Sequence, residues 1–438
     1  MQIKDEESYG NMLYYTMDGK HTSFVQIKIV LDEDVVDTAM ESAFERSCKR
    51  FPYFMTTLKK EGNCLITVPN SKIPVVHHDN LDYVIDYSEN DGFLFRFSTN
   101  KNVIIFSFYH GLTDGAGIFC FLRVILTEYY KNLGEEVVLA QDFIDINSLP
   151  DEEEYAEPLT RVPDNCLLEE ESNNPFFIMP LKKQKNYKVY SFSVSQKKMM
   201  EYASKNGGSP NSISQIVIAK TVQNLYPEAA DIGIAVSVAI NAKPFLQLDK
   251  SLKPCIALSV FNFNKENLAL GEKELNVQVR KNIIADTNEE KLFPFLAGMK
   301  KLFRILDLMD DVKTKQLMCQ RATTVPKATV AESYVGIVPF GSMEKHIKGI
   351  YSFCETPLPL VEINYINGRF FYSISAENDI SDFANKLMEN FNALGFECSE
   401  VECQELKTGK RDCKFPKAGL NLTTLKMIKA VNKYKKKL

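Results

Sequence analysis

Val103-Ile104-Ile105-Phe106-Ser107-Phe108-Tyr109-His110-Gly111-Leu112-Thr113-Asp114-Gly115 is the stretch whose reading decides the fold. Its first seven residues are almost wholly apolar, β-branched or aromatic, which predicts a central strand buried on both faces. That strand delivers His110 to its C-terminal end. Gly111, Gly115 and Gly117 allow a tight turn there. Beyond it, Ile118, Phe121, Leu122, Ile125, Leu126 and Tyr129 recur at the spacing of one helix face, and Gly134 supplies the stop. A strand that passes through a glycine-flanked turn into an amphipathic helix is a unit of an α/β protein. The loop at such a strand end is where binding and catalytic side chains collect.

The pattern continues on both sides. Residues 23–30 alternate apolar and polar positions, the mark of a half-buried strand. Val36, Met40, Ala43, Phe44 and Cys48 follow at helical spacing, and Pro52 ends that helix. Shorter strands are expected around 64–68, 73–77 and 92–98. From 147 to 185 the acidic runs Asp151-Glu152-Glu153-Glu154 and Glu169-Glu170-Glu171, with five prolines, read as a long connection. A second half then opens with a strand from Tyr187 to Val194, a helix capped by Ser195, and a helix from Ser212 to Leu225. Strands at 232–240 and 256–263, helices near 272–285 and 290–306, and a strand near 333–340 come next. Segments 359–366 and 369–377 flank Asn367-Gly368, a two-residue hairpin signal. A last amphipathic helix carries Phe383, Leu387, Phe391 and Leu394. The organisation expected is an N-terminal subdomain over 1–160, a crossover over 161–186, a C-terminal subdomain over 187–400 and a basic extension over 401–438. Each half reads as a layered α/β unit.

Composition narrows the function classes. The chain has 438 residues, which at roughly 150 per domain suggests two or three domains. It is 45% hydrophobic and 25% charged, the balance of a globular protein. No apolar run approaches the ~20 residues of a membrane-spanning helix. The first residues carry charges and no apolar core, so a cytoplasmic protein without a signal peptide is expected. None of the ten cysteines stands in a Cys-x-x-Cys, so reduced thiols and no metal site are expected. The net charge is −5, with +10 concentrated in residues 407–438 and −15 on the rest, and nucleic acid is not an expected partner. Residues 416–437 can form a basic helix with Leu420, Met427, Ile428 and Val431 on one side. It suits weak contact with an anionic membrane surface or an acidic acyl-carrier protein; the plainer reading is a solvated extension.

Five histidines are present: 21, 77, 78, 110 and 346. His77 and His78 read as strand-end surface residues, and His346 as solvated. His110 is the candidate, with a buried strand-end histidine as the plain alternative. An imidazole exchanges protons near neutral pH. It can take the proton of an attacking hydroxyl or amine and return it to a leaving group. Asp114 is placed to pin the loop or to cap the helix.

His110 to Gly115 resembles the His-x-x-x-Asp-Gly signature of the coenzyme A-dependent acyltransferase superfamily, which includes chloramphenicol acetyltransferase, alcohol acetyltransferases and peptide-synthetase condensation domains. Residues 34–53 resemble that superfamily's first helix. Val238 to Phe245, with Asn241, resembles a strand-end motif that normally reads Asn-x-Arg. Lys243 replaces the Arg, which implies a lost bidentate contact. Ser333-Tyr334-Val335-Gly336 resembles a Ser-Asn-Val-Gly strand, with Tyr334 in place of Asn. Tyr109 stands where condensation domains carry a second histidine, which is nearer the stand-alone enzymes. These matches are spread over roughly residues 20–395.

The resemblance implies an α/β fold of two chloramphenicol acetyltransferase-like subdomains, with an active-site tunnel between them. It implies transfer of an acyl group from coenzyme A to an alcohol or amine without a covalent intermediate. His110 would be the base, Asp114 would face away from the imidazole and support the loop, and either the backbone amide near Gly115 or a hydroxyl from the second half would stabilise the oxyanion. Asn241, Ser333 and Tyr334 would line the substrate, although Asn241 and Ser333 also read as ordinary turn and strand residues. It implies no permanently bound cofactor, acyl-coenzyme A as co-substrate and a small-molecule acceptor. Two alternatives are a condensation-like protein fed by an acyl-carrier protein and a non-catalytic binding protein of the same fold.

Overall fold

The structure is a computed structural model describing residues 8–16, 24–78, 90–164, 175–324, 327–356 and 358–406. The expected basic helix over 416–437 and the acidic run at 169–171 lie outside the described residues. Along the chain the strands are β1 (Phe24–Leu31), β2 (Thr56–Glu61), β3 (Cys64–Pro69), β4 (Val76–His77), β5 (Phe95–Asn100), β6 (Val103–Tyr109), β7 (Lys183–Ser195), β8 (Ile234–Asn241), β9 (Ile256–Phe263), β10 (Val330–Tyr334), β11 (Ile347–Cys354), β12 (Leu360–Ile366), β13 (Arg369–Asn378) and β14 (Glu402–Leu406). They form a sheet ordered β11-β1-β6-β5-β4, a sheet ordered β14-β7-β13-β12-β10-β8-β9 and the hairpin β2-β3. Most neighbours are antiparallel. β4 runs parallel to β5, and β12, β10 and β8 run parallel to one another.

The helix-facing side of the first sheet is aromatic because alternate residues of β5 and β6 are phenylalanines. Phe44 stacks on Phe97 at 4.8 Å, and Phe51 meets Phe121 edge-on at 5.0 Å. The second sheet packs Phe192, Tyr372 and Ile374 against the helices Pro210–Leu225 and Ser381–Ala393. Phe192 and Tyr372 stack at 5.2 Å, and Ser214 shares a 2.6 Å hydrogen bond with the Tyr372 hydroxyl. Ser195 accepts from the Lys198 amide and caps its helix. At the β12–β13 hairpin both turn residues have positive φ, Asn367 at 47° and Gly368 at 73°, as a type I′ turn requires.

Several segments depart from the sequence reading. β11 comes from the second half but pairs with β1 at the edge of the first sheet. β14 falls within the segment read as an extension and adds to β7. The strand expected over 333–340 occupies Val330–Tyr334. The long connection is docked as well: Arg50 holds Glu154 through two bonds of 2.8 and 2.6 Å, and the Tyr53 hydroxyl donates to the same carboxylate at 2.6 Å. His346 is not solvated. It stacks on Tyr130 at 4.3 Å, between Asp32 at 3.1 Å and Glu135 at 2.9 Å, because the turn Gly341–His346 folds onto the ends of β1 and the Gly115–Asn132 helix.

The opposed faces of the two sheets carry polar rows beside a small apolar cluster of Phe24, Tyr187, Val189, Phe353 and Leu406. Register places Phe353, Gln26, Ser107 and Arg96 in one row of the first sheet. It places Ser191, Ser373, Glu362 and Ser333 in one row of the second. Burial pushes the Glu362 carboxyl up to about 8. On the helix side of the second sheet, Glu332 is buried with neither oxygen bonded, and burial raises its carboxyl well above 4.5.

Both acids hold their protons in the folded state at pH values where the unfolded chain has released them. Stability is therefore full below about 4.5 and falls as pH rises toward the folded-state values. Glu332→Leu is expected to raise unfolding free energy at neutral pH by roughly 1–3 kcal/mol and to flatten this decline. Urea titrations of both proteins across the pH range measure it. A loss of stability in the variant would contradict the reading.

Candidate active site

β6 ends at Tyr109, and the Leu112 amide donates back to the Tyr109 carbonyl at 2.9 Å, closing the turn that presents His110. His110 is half-buried. Its Nδ1 lies 3.2 Å from the Thr113 carbonyl oxygen. A carbonyl only accepts, so Nδ1 is the donor. The neutral ring then carries its lone pair on Nε2.

Four hydrogen bonds to the second half anchor this turn. The Thr113 hydroxyl donates to the Leu252 carbonyl at 2.6 Å. Lys243 Nζ sits 2.8 Å from each carboxylate oxygen of Asp114. The Cys255 amide approaches Asp114 Oδ2 at 3.4 Å. Asp114 also caps the Gly115–Asn132 helix by accepting from the Gly117 amide at 3.0 Å. The lone pairs of the carboxylate are engaged by Gly117, Lys243 and Cys255, and it makes no hydrogen bond to the imidazole. Lys243 is not the planar donor expected at this position, yet one ammonium reaches both oxygens. It is only 2% exposed, so the pair forms where a lone charge is costly.

The glycines mark close approaches. A Cβ on Gly115 would lie 2.7 Å from Val335 Cγ2, so the segment after β10 packs directly on the motif. A Cβ on Gly117 would meet Thr113 Oγ1 at 2.2 Å and the Leu252 carbonyl at 2.7 Å. Gly117→Ala is expected to cost roughly 1–3 kcal/mol by prying the turn off residue 252. Chemical denaturation checks this, and wild-type stability in the variant would refute the packing.

The other candidate residues divide. Ser333 stands on the inner face, half-buried, and its hydroxyl makes no hydrogen bond to a described residue. Tyr334 points the other way: its ring meets Phe370 edge-on at 6.1 Å in the second core, and burial pushes its hydroxyl up to about 12. Strand alternation is the cause, since adjacent residues face opposite sides. Asn241 is exposed and accepts from the Lys243 amide at 3.2 Å, a turn contact beside the Asp114 anchor. Burial pushes the Cys255 thiol up to about 12 and raises that of Cys120, so neither offers a thiolate near neutral pH. Among the described residues no cluster could hold a metal ion, and no helix is long and apolar enough to cross a membrane.

The sequence reading missed Thr113, Leu252 and the Cys255 amide as anchors. It also missed a cleft of about 220 Å3 between the sheets, lined by Gln26, Lys28, Ser191, Tyr351, Phe353 and Glu402. Gln26 and Lys28 carried a signal, as the polar positions of the alternating 23–30 stretch.

No family model matches this chain, and no curated protein matches it. Solved structures do. Polyketide synthase associated protein 5 from Mycobacterium tuberculosis is 12% identical, with 88% of this chain and 95% of that chain covered and a TM-score of 0.61. TRI101 from F. sporotrichioides, complexed with coenzyme A and T-2, is 15% identical over 87% of this chain and 96% of that one, at a TM-score of 0.55. The epimerization domain from the third module of tyrocidine synthetase B is 11% identical over 87% and 94%, also at 0.55. At these identities the likeness is one of fold, and the chain has the mixed α/β architecture of two sheet-containing halves that these proteins share.

Proposed function

We propose that this protein transfers an acyl group from a coenzyme A thioester to the hydroxyl or amine of a small-molecule acceptor, with His110 as general base. The observation that carries the proposal is the His110 Nδ1 contact with the Thr113 carbonyl, which leaves Nε2 free to accept a proton. In the reaction, Nε2 takes the acceptor's proton as its oxygen or nitrogen bonds to the thioester carbonyl carbon. The tetrahedral intermediate collapses, the carbon–sulfur bond breaks, and Nε2–H returns the proton to the departing thiolate. Protons balance, and no acyl-enzyme forms. Asp114 holds the turn, and Lys243 neutralises it. We assign the developing oxyanion to the Gly115 backbone amide and the Ser333 hydroxyl. Asn241 serves by setting the turn that aims Lys243. Support from likeness is the shared fold with TRI101, whose structure was solved with coenzyme A and T-2.

The test incubates the full chain with acyl-coenzyme A thioesters of several chain lengths and pooled alcohols and amines. Free thiol is followed and products are weighed by mass spectrometry. Acceptor-dependent thiol release with an acylated product is expected. Release no faster than in buffer across the whole panel would overturn the proposal and favour a binding protein of the same fold.

A further inference from the structure

The cleft between β1, β11, β7 and β14 has an uncommon charge arrangement. Lys28 is half-buried on β1, with Nζ 5.6 Å from the centre of the Tyr351 ring. It forms no ion pair with any described residue, and burial lowers its ammonium while Glu402 raises it only through space. Glu402 is exposed at the rim on β14, likewise without an ion-pair partner. Gln26 is buried at the floor, its amide donating to Ser107 at 3.3 Å. The half-buried cation is left a complementary group short, and the exposed carboxylate nearby does not supply it.

We infer that this cleft binds the zwitterionic end of the acceptor, its carboxylate on Lys28 and Gln26 and its ammonium on Glu402, so that the acceptor is amino-acid-like with a second, reactive hydroxyl or amine. The inference rests on the acyltransferase reading. Three features support it. At about 220 Å3 the cleft is below the ~300–1,000 Å3 of drug-sized sites, so it takes one end of a molecule. One cation faced by one carboxylate suits a molecule of no net charge there. The phosphates of coenzyme A would need several cations and would be repelled by Glu402. The spacing also fits: Gln26 is paired with Ser107, and His110 follows three residues later, about 10 Å along the strand. An acceptor that long would run its methylene chain past the apolar side chains of Phe24 and Phe353 toward the imidazole.

A matched set of six-carbon alcohols tests this on the full chain: 2-amino-6-hydroxyhexanoate, 6-hydroxyhexanoate, 6-aminohexan-1-ol and hexane-1,6-diol. Calorimetry without donor reads binding, and the variants Lys28→Met and Glu402→Gln read location. The amino-hydroxy acid is expected to bind about tenfold more tightly than the other three. Lys28→Met should erase its advantage over 6-aminohexan-1-ol. Glu402→Gln should erase its advantage over 6-hydroxyhexanoate; because Glu402 is exposed on an edge strand, this variant tests the idea even if Lys28→Met fails to fold. Equal binding of all four by the wild type, or tight binding that neither variant weakens, overturns the inference. Thiol release then separates the two readings. Turnover of all four alcohols alike refutes the cleft and keeps the acyltransferase. Charge-selective binding without thiol release keeps the cleft and refutes the acyltransferase.

Discussion

Replacing His110 with alanine is expected to lower acceptor-dependent thiol release by a factor of about 10^2–10^4, the usual contribution of a positioned general base. The fall should appear in kcat more than in KM, because the imidazole acts on the proton that moves in the transition state. Stability should change little. His110 is half-buried at a turn, and its ring bonds to a carbonyl within the same turn. His110→Gln is the informative companion. Its amide can still donate to the Thr113 carbonyl, but it has no basic nitrogen, so it should keep the turn and remain as slow as the alanine variant. A fast glutamine variant would show that the side chain positions rather than accepts a proton.

Asp114→Ala is expected to produce the largest loss of stability, about 3–5 kcal/mol, because it strands a buried ammonium. Lys243 is 2% exposed, and its Nζ is held at 2.8 Å by both oxygens of Asp114. The same change removes the cap on the Gly117 amide, a loss of about 1 kcal/mol by itself. Asp114→Asn keeps an oxygen for the cap and should cost less. Adding Lys243→Met to Asp114→Asn should recover at least about 1 kcal/mol, since the second change removes the charge the first left unpaired. Urea denaturation of the four proteins closes this cycle. Additive losses would show that the two residues do not act as a pair.

The parts of this fold written in local periodicity were legible in the sequence. β6, the turn and the Gly115–Asn132 helix follow from an apolar run, three glycines and a stripe at helical spacing. The Asn367-Gly368 hairpin follows from the φ its turn demands. What was missed depends on contacts far apart in the chain. β11 reads as a weak alternation, and only its pairing with β1 makes it an edge strand. Gln26 and Lys28 have the pattern of a solvent-facing side, but the second sheet, not water, lies opposite. His346 looked solvated because the carboxylates flanking it come from positions 32 and 135. At the site, the motif identified His110 and Asp114, while the partner of Asp114 lies 129 residues on. Tyr334 was misplaced by one step of strand alternation, which a motif match does not resolve.

β11 ends at Cys354 as the edge of one sheet, and β12 begins at Leu360 inside the other. The two halves are dovetailed, not merely tethered. Pulling them apart would strip a strand from β1 and expose its unpaired amides, so wide separation and unfolding are nearly the same event. Breathing of the cleft is then confined to rocking about this seam. Any fragment ending before residue 347 would also present a raw sheet edge, which invites self-association. The chain is therefore expected to melt as one cooperative body, with neither half an exchangeable module.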